Sequence, residues 1–368
     1  MPDADSETLE QQVMQALGTV QDPELHQSLA ALGMVENLRI EAGVARVTIH
    51  LTTPACPLKE RIESDCQAAV LAVDGIHDLQ IQWGARVRRS VAGESDLIPG
   101  VRNTVLVGSG KGGVGKSTVA ANLALSLAGD GAGVGLLDAD IYGPNQPTMM
   151  GVRGRPQGEG KKIKPLLGPR DVKLISIGFF LAPDEPVIWR GPMLHGAMRQ
   201  FLGDVAWGEL DYLVIDLPPG TGDVPLTLSQ IIPVTGAVLV TTPQAVSLED
   251  MKKSALALNK VNVPILGIVE NMSGYTCRHC GGTEDLFGRG GGRGVAGEFE
   301  VRFLGEIPID PRVMAGGDAG RPIVIHDPEA PAARELVKVA RAVAGQVSMR
   351  AFESMPPPPR MPQPLPQG

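Results

Sequence analysis

"GSGKGGVGKST", residues 108–118, decides the fold. Gly110, Gly115, Lys116 and Ser117 fit the G-x-x-x-x-G-K-[ST] spacing of a phosphate-binding loop, set between the apolar run "TVLVGS" and the helix-length segment "KSTVAANLALSLAG". In that setting successive backbone N–H groups make a concave anion site. The following helix N-terminus adds partial positive charge, and glycine removes the Cβ atoms that would clash with phosphate. Lys116 is expected to neutralise the β- and γ-phosphates and Ser117 to ligate Mg²⁺. That chemistry leaves Lys111 over.

Further along, uninterrupted apolar runs of strand length recur: "GVGLLDAD", "VKLISIGFF", "DYLVIDLPP", "GAVLVTTP", "PILGIVEN" and "RFLGEIP". Helix-length segments such as "LEDMKKSALALNKV" separate them. The pattern predicts an α/β fold, a mostly parallel sheet covered by helices on both faces, with ligands bound beyond the carboxyl ends of the strands. Two runs end in carboxylates. "LLDAD" closes on Asp138 and Asp140, and "LVIDLPPGTGD" places Asp216 at a strand end with Asp223 just beyond. Asp216 is expected to hold Mg²⁺ through a water, and Asp140 to orient or deprotonate an attacking water.

Before the loop, residues 1–90 read as a small α+β domain. Leu9, Val13, Met14 and Leu17 recur at helical spacing, and Val47, Ile49 and Leu51 alternate as in a half-buried strand after a turn at Glu41–Gly43. A second helix pattern, "LKERIESDCQAAVLAV", and a closing strand, "DLQIQW", complete it. Residues 91–100 are expected to be a linker, 101–347 a P-loop ATPase domain whose last helix spans about 330–347, and 348–368 a Pro-rich disordered tail.

The chain has 368 residues and 43% hydrophobic content, enough for buried cores. Its 33 basic against 41 acidic side chains give a net charge of −8, which argues against broad attraction to nucleic acid or anionic membrane. The N-terminus lacks an apolar targeting segment and no run approaches a membrane span, so a cytoplasmic protein is expected.

Four cysteines in a chain of this length do not form a disulfide scaffold. Cys277 and Cys280 form a C-x-x-C pair in "NMSGYTCRHCGG", after the strand "PILGIVEN". A zinc ion or an iron–sulfur cluster takes four protein ligands, which two copies of the pair across a two-fold axis would supply. A redox disulfide is the competing reading, although such pairs sit at a helix N-terminus and "CGGTEDLFGRGGG" does not continue as a helix. Cys66 falls in an apolar helix pattern and reads as core, whereas Cys56 stands at a strand-to-helix turn where its thiolate could be stabilised.

Residues 110–118 also resemble the deviant Walker A motif of the nitrogenase-iron-protein, MinD and ParA class of dimeric ATPases, in which the extra lysine reaches the partner's nucleotide. That resemblance makes the whole loop, Gly110, Lys111, Gly112, Gly113, Val114, Gly115, Lys116, Ser117 and Thr118, the nucleotide-binding set, with Lys111 and Lys116 catalytic beside Asp140. The stretches "LLDADIYGPNQPTMMG", "VIWRGPM", "DYLVIDLPPGTGD", "VENMSGYTCRHCGG" and "LGEIPIDPRV" extend it. Together they resemble Mrp/ApbC-type iron–sulfur cluster carriers over most of residues 101–325. "DPEL" and "TTPACP" resemble the small domain often fused in front of bacterial members.

The resemblance implies an ATP- and Mg²⁺-dependent homodimer whose paired Cys277 and Cys280 share a [4Fe–4S] cluster for transfer to apo iron–sulfur proteins. It places Asn271, Pro308 and Asp310 at the border of the adenine. Nucleic acid and membrane are not expected partners, and a zinc-stapled scaffold or a positioning ATPase are the alternatives. Arg278 stands where family members carry proline, making the cysteine loop less rigid, and Asn145 stands where serine is common.

Overall fold

A computed structural model describes residues 4–353 except 24, 55–57, 91–96, 161, 182–190, 221–222 and 278–279. Cys56, Arg278, His279 and the Pro-rich tail thus lie outside the described residues.

The first unit packs α1 (Ala4–Leu17) and α2 (Lys59–Val70) on one sheet of β1 (Val35–Glu41), β2 (Val44–Leu51) and β3 (Asp78–Ala85). The β1–β2 pair is antiparallel and β2–β3 parallel, so α2 is the crossover between β2 and β3. Helix and strand periodicities converge on one core: Val13 and Leu17 from α1, Ile62, Cys66 and Val70 from α2, and Val47, Ile49 and Leu51 from β2. Met14 departs from the expected helix face and is exposed, because one residue past Val13 turns the side chain by about 100°.

The larger sheet is formed by β4 (Val101–Ser109), β5 (Val134–Asp138), β8 (Leu166–Leu167), β9 (Lys173–Ser176), β10 (Leu210–Asp216), β11 (Gly236–Thr241), β12 (Ile265–Thr276), β13 (Thr283–Glu284) and β14 (Phe303–Ile309). Its order is β13-β12-β11-β4-β10-β5-β9-β8, with β14 beside β12; β8 and β13 are the antiparallel members and a separate hairpin joins β6 (Gln157–Glu159) to β7 (Lys162–Lys164). The helices are α3 (Lys116–Gly129), α4 (Gln146–Met149), α5 (Gly191–Gly203), α6 (Asp223–Ile231), α7 (Ala245–Lys260), α8 (Gly291–Glu298), α9 (Pro311–Asp318), α10 (Ile323–His326) and α11 (Pro331–Glu353).

Alternation along the strands feeds two cores. Val105, Val107, Tyr212 and Val214 face α3 and α11, whereas Leu106, Leu213 and Ile215 face the layer containing α5, α6 and α7. With both faces covered, these strands carry apolar residues on both sides, which is why they read as uninterrupted runs. From Val119 to Leu127 every residue of α3 is buried, so its alanines let it sit close between sheet and α11. The crossover from β4 to β5 passes over β10, which lies between them, and the carboxyl ends of these three strands form the crevice where ligands bind such sheets.

Helix α11 runs past the expected Val347 to Glu353. Its last turn buries Ala351 and packs Phe352 on the core of the first unit, below the Arg88 guanidinium, so tertiary contact extends the helix beyond its sequence pattern. A second contact joins the units at the end of the sheet opposite the phosphate loop: the Tyr212 hydroxyl donates to Thr53 Oγ1 at 3.1 Å, both residues fully buried. No described helix is long and apolar enough to cross a membrane. Tyr212→Phe removes one buried hydrogen bond while keeping the ring, and is expected to cost about 1 kcal/mol, read as a lower urea midpoint with an unchanged m-value.

Candidate functional site

The chain leaves β4 at Ser109 and turns through residues 110–115 into α3. Gly115 has φ +85, a left-handed conformation that L-residues rarely adopt, and a Cβ there would collide with Asn271 Nδ2. A Cβ on Gly110 would collide with the backbone of Asp250 and Met251 in the second turn of α7. These glycines therefore let the loop press against its neighbours as well as against an anion. Asn271 fixes the contact from the far side, its Nδ2 donating to the Val114 carbonyl at 2.9 Å.

Behind the loop lies a buried polar network. Parallel register sets Asp216 at the end of β10 directly beside Asp138 at the end of β5. The Lys116 ammonium, with 6% of its side chain exposed, stands 2.6 Å from Asp216 Oδ1, 3.2 Å from Ser117 Oγ and 3.9 Å from Asp140 Oδ2. The other Asp216 oxygen accepts from Gln146 Nε2 at 2.9 Å, and the same Nε2 donates to the Ser117 carbonyl at 3.0 Å.

Asp138 accepts from the N–H groups of Asp140 and Gln146 and from the Ser176 hydroxyl. Burial and then the Asp216 charge push its pKa up to about 8, against the pull of the Ser176 and Gln146 donors and of Lys116. Asp140 is also raised, chiefly by burial, while Lys116 pulls it back. The two aspartates differ in placement: Asp140 lines the cavity, whereas Asp138 is fully buried and supports the turn to α4.

The network opens into a cavity of about 810 Å³, within the size range of small-molecule sites. One wall is the phosphate loop, with Lys111, Gly112, Gly113, Gly115, Lys116, Ser117 and Thr118; Lys111 is half-buried there. The rest of the lining includes Asn271, which touches that loop, and Met272, Leu286, Phe287, Pro308, Ile309, Val313 and Met314. Asp310 also borders it, but its carboxylate caps α9 through the Arg312 N–H and pairs with the Arg312 guanidinium. Gly110 and Val114 shape the loop without lining the cavity.

Hard oxygen donors at this end suit Mg²⁺. Ser117 Oγ and the Asp216 carboxylate flank the Lys116 ammonium, and Gln146 Oε1, fully buried, has no hydrogen-bond partner among the described residues. No group of three or more His, Cys, Asp or Glu side chains converges to hold a metal among the described residues, so an Mg²⁺ held here would take its remaining ligands from phosphate oxygens and water.

The cysteine pair follows directly on the strand that carries Asn271. Beyond Asn271, β12 pairs with β13 through Tyr275–Glu284 and Thr276–Thr283. Between these strands the Cys277 N–H donates to the Gly282 carbonyl at 2.8 Å, and the Gly281 N–H donates to the Cys277 carbonyl at 2.9 Å. The result is a knuckle with Cys277 half-buried and Cys280 exposed, and the chain does not enter a helix until Gly291. One copy thus offers two thiols here. Cys66, by contrast, is fully buried and its thiol is pushed up to about 12 by burial, which makes it chemically inert.

Gln146 and Ser176 were not singled out by sequence reasoning. The signal for Gln146 was its place in "IYGPNQPTMMG", six residues beyond Asp140; Ser176 carries no sequence signal beyond its position at the end of an apolar run.

A phosphate loop between a buried strand and helix, with carboxylates at neighbouring strand ends of a mostly parallel sheet, defines a P-loop NTPase. The chain belongs to the family described as NUBPL iron-transfer P-loop NTPase, whose model matches residues 100–344, and a model for iron-sulfur cluster assembly proteins matches residues 10–83. It is 51% identical over 347 residues to the iron-sulfur cluster carrier protein of Deinococcus radiodurans, covering 94% of this chain and 97% of that one. The carrier of Escherichia coli strain K12 is 40% identical over 350 residues, covering 94% and 93%. A nucleotide-binding protein of Archaeoglobus fulgidus, solved in complex with ADP, superposes with a TM-score of 0.54 at 43% identity over 60% of this chain and 87% of that one. The family implied by the motifs is thus the family found.

Gly115→Ala adds a Cβ at a left-handed position that points into Asn271. ATP binding by titration calorimetry is expected to fall at least about a hundredfold, since the strain and clash together cost a few kcal/mol, while the far-UV circular dichroism stays unchanged.

Proposed function

We propose that this chain is an ATP-hydrolysing homodimeric carrier of iron–sulfur clusters, binding a [4Fe–4S] cluster between two C-x-x-C knuckles and delivering it to apo-proteins. The observation that carries the reading is the placement of the knuckle: it grows from the strand whose Asn271 closes on the phosphate loop. Membership of an iron-transfer NTPase family and the carrier relatives support the cargo. The domain division that goes with this reading is 1–90, a linker over 91–100, and 101–347 for the ATPase, in the reducing setting of the cytoplasm.

In this reading the cradle of residues 110–118 holds the triphosphate. Lys116 exchanges its ion pair with Asp216 for the β- and γ-phosphates, so a charge already desolvated in the fold is redirected rather than buried anew. Ser117 and, through water, Asp216 would hold Mg²⁺, which supplies charge neutralisation on the phosphates when bound. Gln146 keeps Ser117 and Asp216 in register from behind. Asp140, its pKa raised by burial, orients the attacking water and accepts its proton.

Lys111 acts on the nucleotide of the partner copy, bringing its ammonium to the developing phosphate charge when two protomers close. Closure also brings Cys277 and Cys280 of both copies together, giving the four thiolates a cluster requires. Nucleotide can bias that closure only through different affinities for the open and closed states.

Anaerobic reconstitution with iron and sulfide tests the cargo. The wild type is expected to gain visible charge-transfer absorption and to elute as a dimer holding one cluster, and Cys277→Ala to gain neither. Tight zinc without iron uptake by the wild type would instead favour a zinc-stapled scaffold. For hydrolysis, Lys111→Ala is expected to lower kcat by about a thousandfold, as for loss of a cation supplied in trans, with ATP affinity changed only severalfold. Equal loss of both would place Lys111 in ground-state binding.

A further inference from the structure

Part of the cavity lining outside the phosphate loop has an unusual origin. Every residue from Gly281 to Arg289 is exposed, yet Leu286 and Phe287, at 49% and 43% exposure, line the cavity together with Met314 at 65%. Three large apolar side chains left open on the lining of one cavity mark a ligand-contacting surface. Asp310, a carboxylate in this region, is already paired with Arg312. The phosphate end of the cavity is cationic and polar; this end offers an aromatic ring, aliphatic carbon and a methionine, the surface chemistry that receives a flat purine.

Leu286 and Phe287 belong to the segment that carries the cysteines. That segment is fixed at both ends by one strand. Around the cysteines β13 pairs back onto β12, Thr283 beside Thr276 and Glu284 beside Tyr275. At its exit Glu270, fully buried near the middle of β12, accepts from the Gly290 N–H at 2.8 Å and the Gly292 N–H at 2.6 Å, and from the Ser273 hydroxyl at 2.7 Å. Adjacent residues of a strand project to opposite sides, so Glu270 holds the exit of this segment while Asn271 holds the phosphate loop. The cysteines lie in the hairpin loop before β13, and the cavity-lining pair lies between β13 and Gly290.

We propose that Phe287, with Leu286 beside it, is the base-contacting wall of the ATP site, and that an adenine seated on it sets the position of the cysteine knuckle at the other end of the same segment. This rests on the reading that the cavity takes ATP. Only β13, two exposed residues long, separates residues 286–287 from the hairpin loop that carries the cysteines, so a shift of residues 286–287 on contact with the base is passed to the knuckle through β13. The coupling is reciprocal: whatever nucleotide does to the knuckle, occupation of the knuckle does to nucleotide affinity by the same factor.

The test separates base from phosphate. In titration calorimetry Phe287→Ala is expected to bind ATP about tenfold more weakly, the effect of losing one base–aromatic stack, to bind inorganic tripolyphosphate as the wild type does, and to regain ATP affinity as Phe287→Trp. Iodoacetamide labelling of Cys280, followed by peptide mass spectrometry, reads the knuckle. Saturating ATP is expected to change the wild-type rate by roughly fivefold or more, tripolyphosphate to leave it unchanged, and saturating ATP to leave Phe287→Ala unchanged.

Full ATP affinity in Phe287→Ala, or a Cys280 rate indifferent to ATP in the wild type, overturns the proposal while leaving the carrier reading in place. Equal loss of ATP and tripolyphosphate in Phe287→Ala also overturns it, since the residue would then support the fold of the site. Failure of the wild type to bind ATP at all removes the carrier's ATPase reading, and this inference with it.

Discussion

The contact on which the site depends is the ion pair between Lys116 and Asp216 at the carboxyl end of β10. Both side chains are buried, and an unpaired charge at either position would cost about 3–5 kcal/mol. The fold meets that cost with a network rather than a single partner. Gln146 satisfies the second Asp216 oxygen, Asp138 takes two donors from the turn that delivers Gln146 and a third from Ser176 at the end of β9, and Ser117 lies against the Lys116 ammonium. A lysine held this way is desolvated, oriented and aimed where a triphosphate would arrive, which is the preorganisation that phosphoryl transfer demands.

Strand order makes that network possible. Because β10 is inserted between β4 and β5, the phosphate loop, Asp216 and Asp138 come from three neighbouring strand ends although they are far apart in the chain. Strand β12 then extends the same logic outward. Within seven positions it buries Glu270, clamps the phosphate loop with Asn271 and opens the hairpin that leads into the cysteine knuckle. The clamp on the phosphate loop and the cysteine pair are thereby mounted on one strand and one exposed segment.

Much of this was written locally. The phosphate loop was legible because its chemistry resides in consecutive backbone N–H groups and glycines, a pattern that needs no distant partner. Asp216 and Asp140 were legible as polar endings of buried runs, and the C-x-x-C pair as thiols at fixed spacing. Met14 and the end of α11 were misjudged because side-chain direction and helix length there follow contacts with the first unit's core. Gln146 was missed because its partners Ser117 and Asp216 lie 29 and 70 positions away, beyond any local pattern. Phe287 was missed because an aromatic in a Gly-rich loop looks the same whether it faces water or a cavity.

The sequence alone determined the layered α/β fold, the anion-binding loop and the donor types available, since periodicity and glycine spacing act over a few residues. Only the tertiary structure decided which side chains meet. Asp138 became an internal support while Asp140 lines the cavity, Asp310 was committed to Arg312, and the cysteine segment came to form a wall of the nucleotide cavity. The reason is that strand order and register, set by the burial of two whole sheet faces, fix distances between residues that the chain itself leaves unrelated.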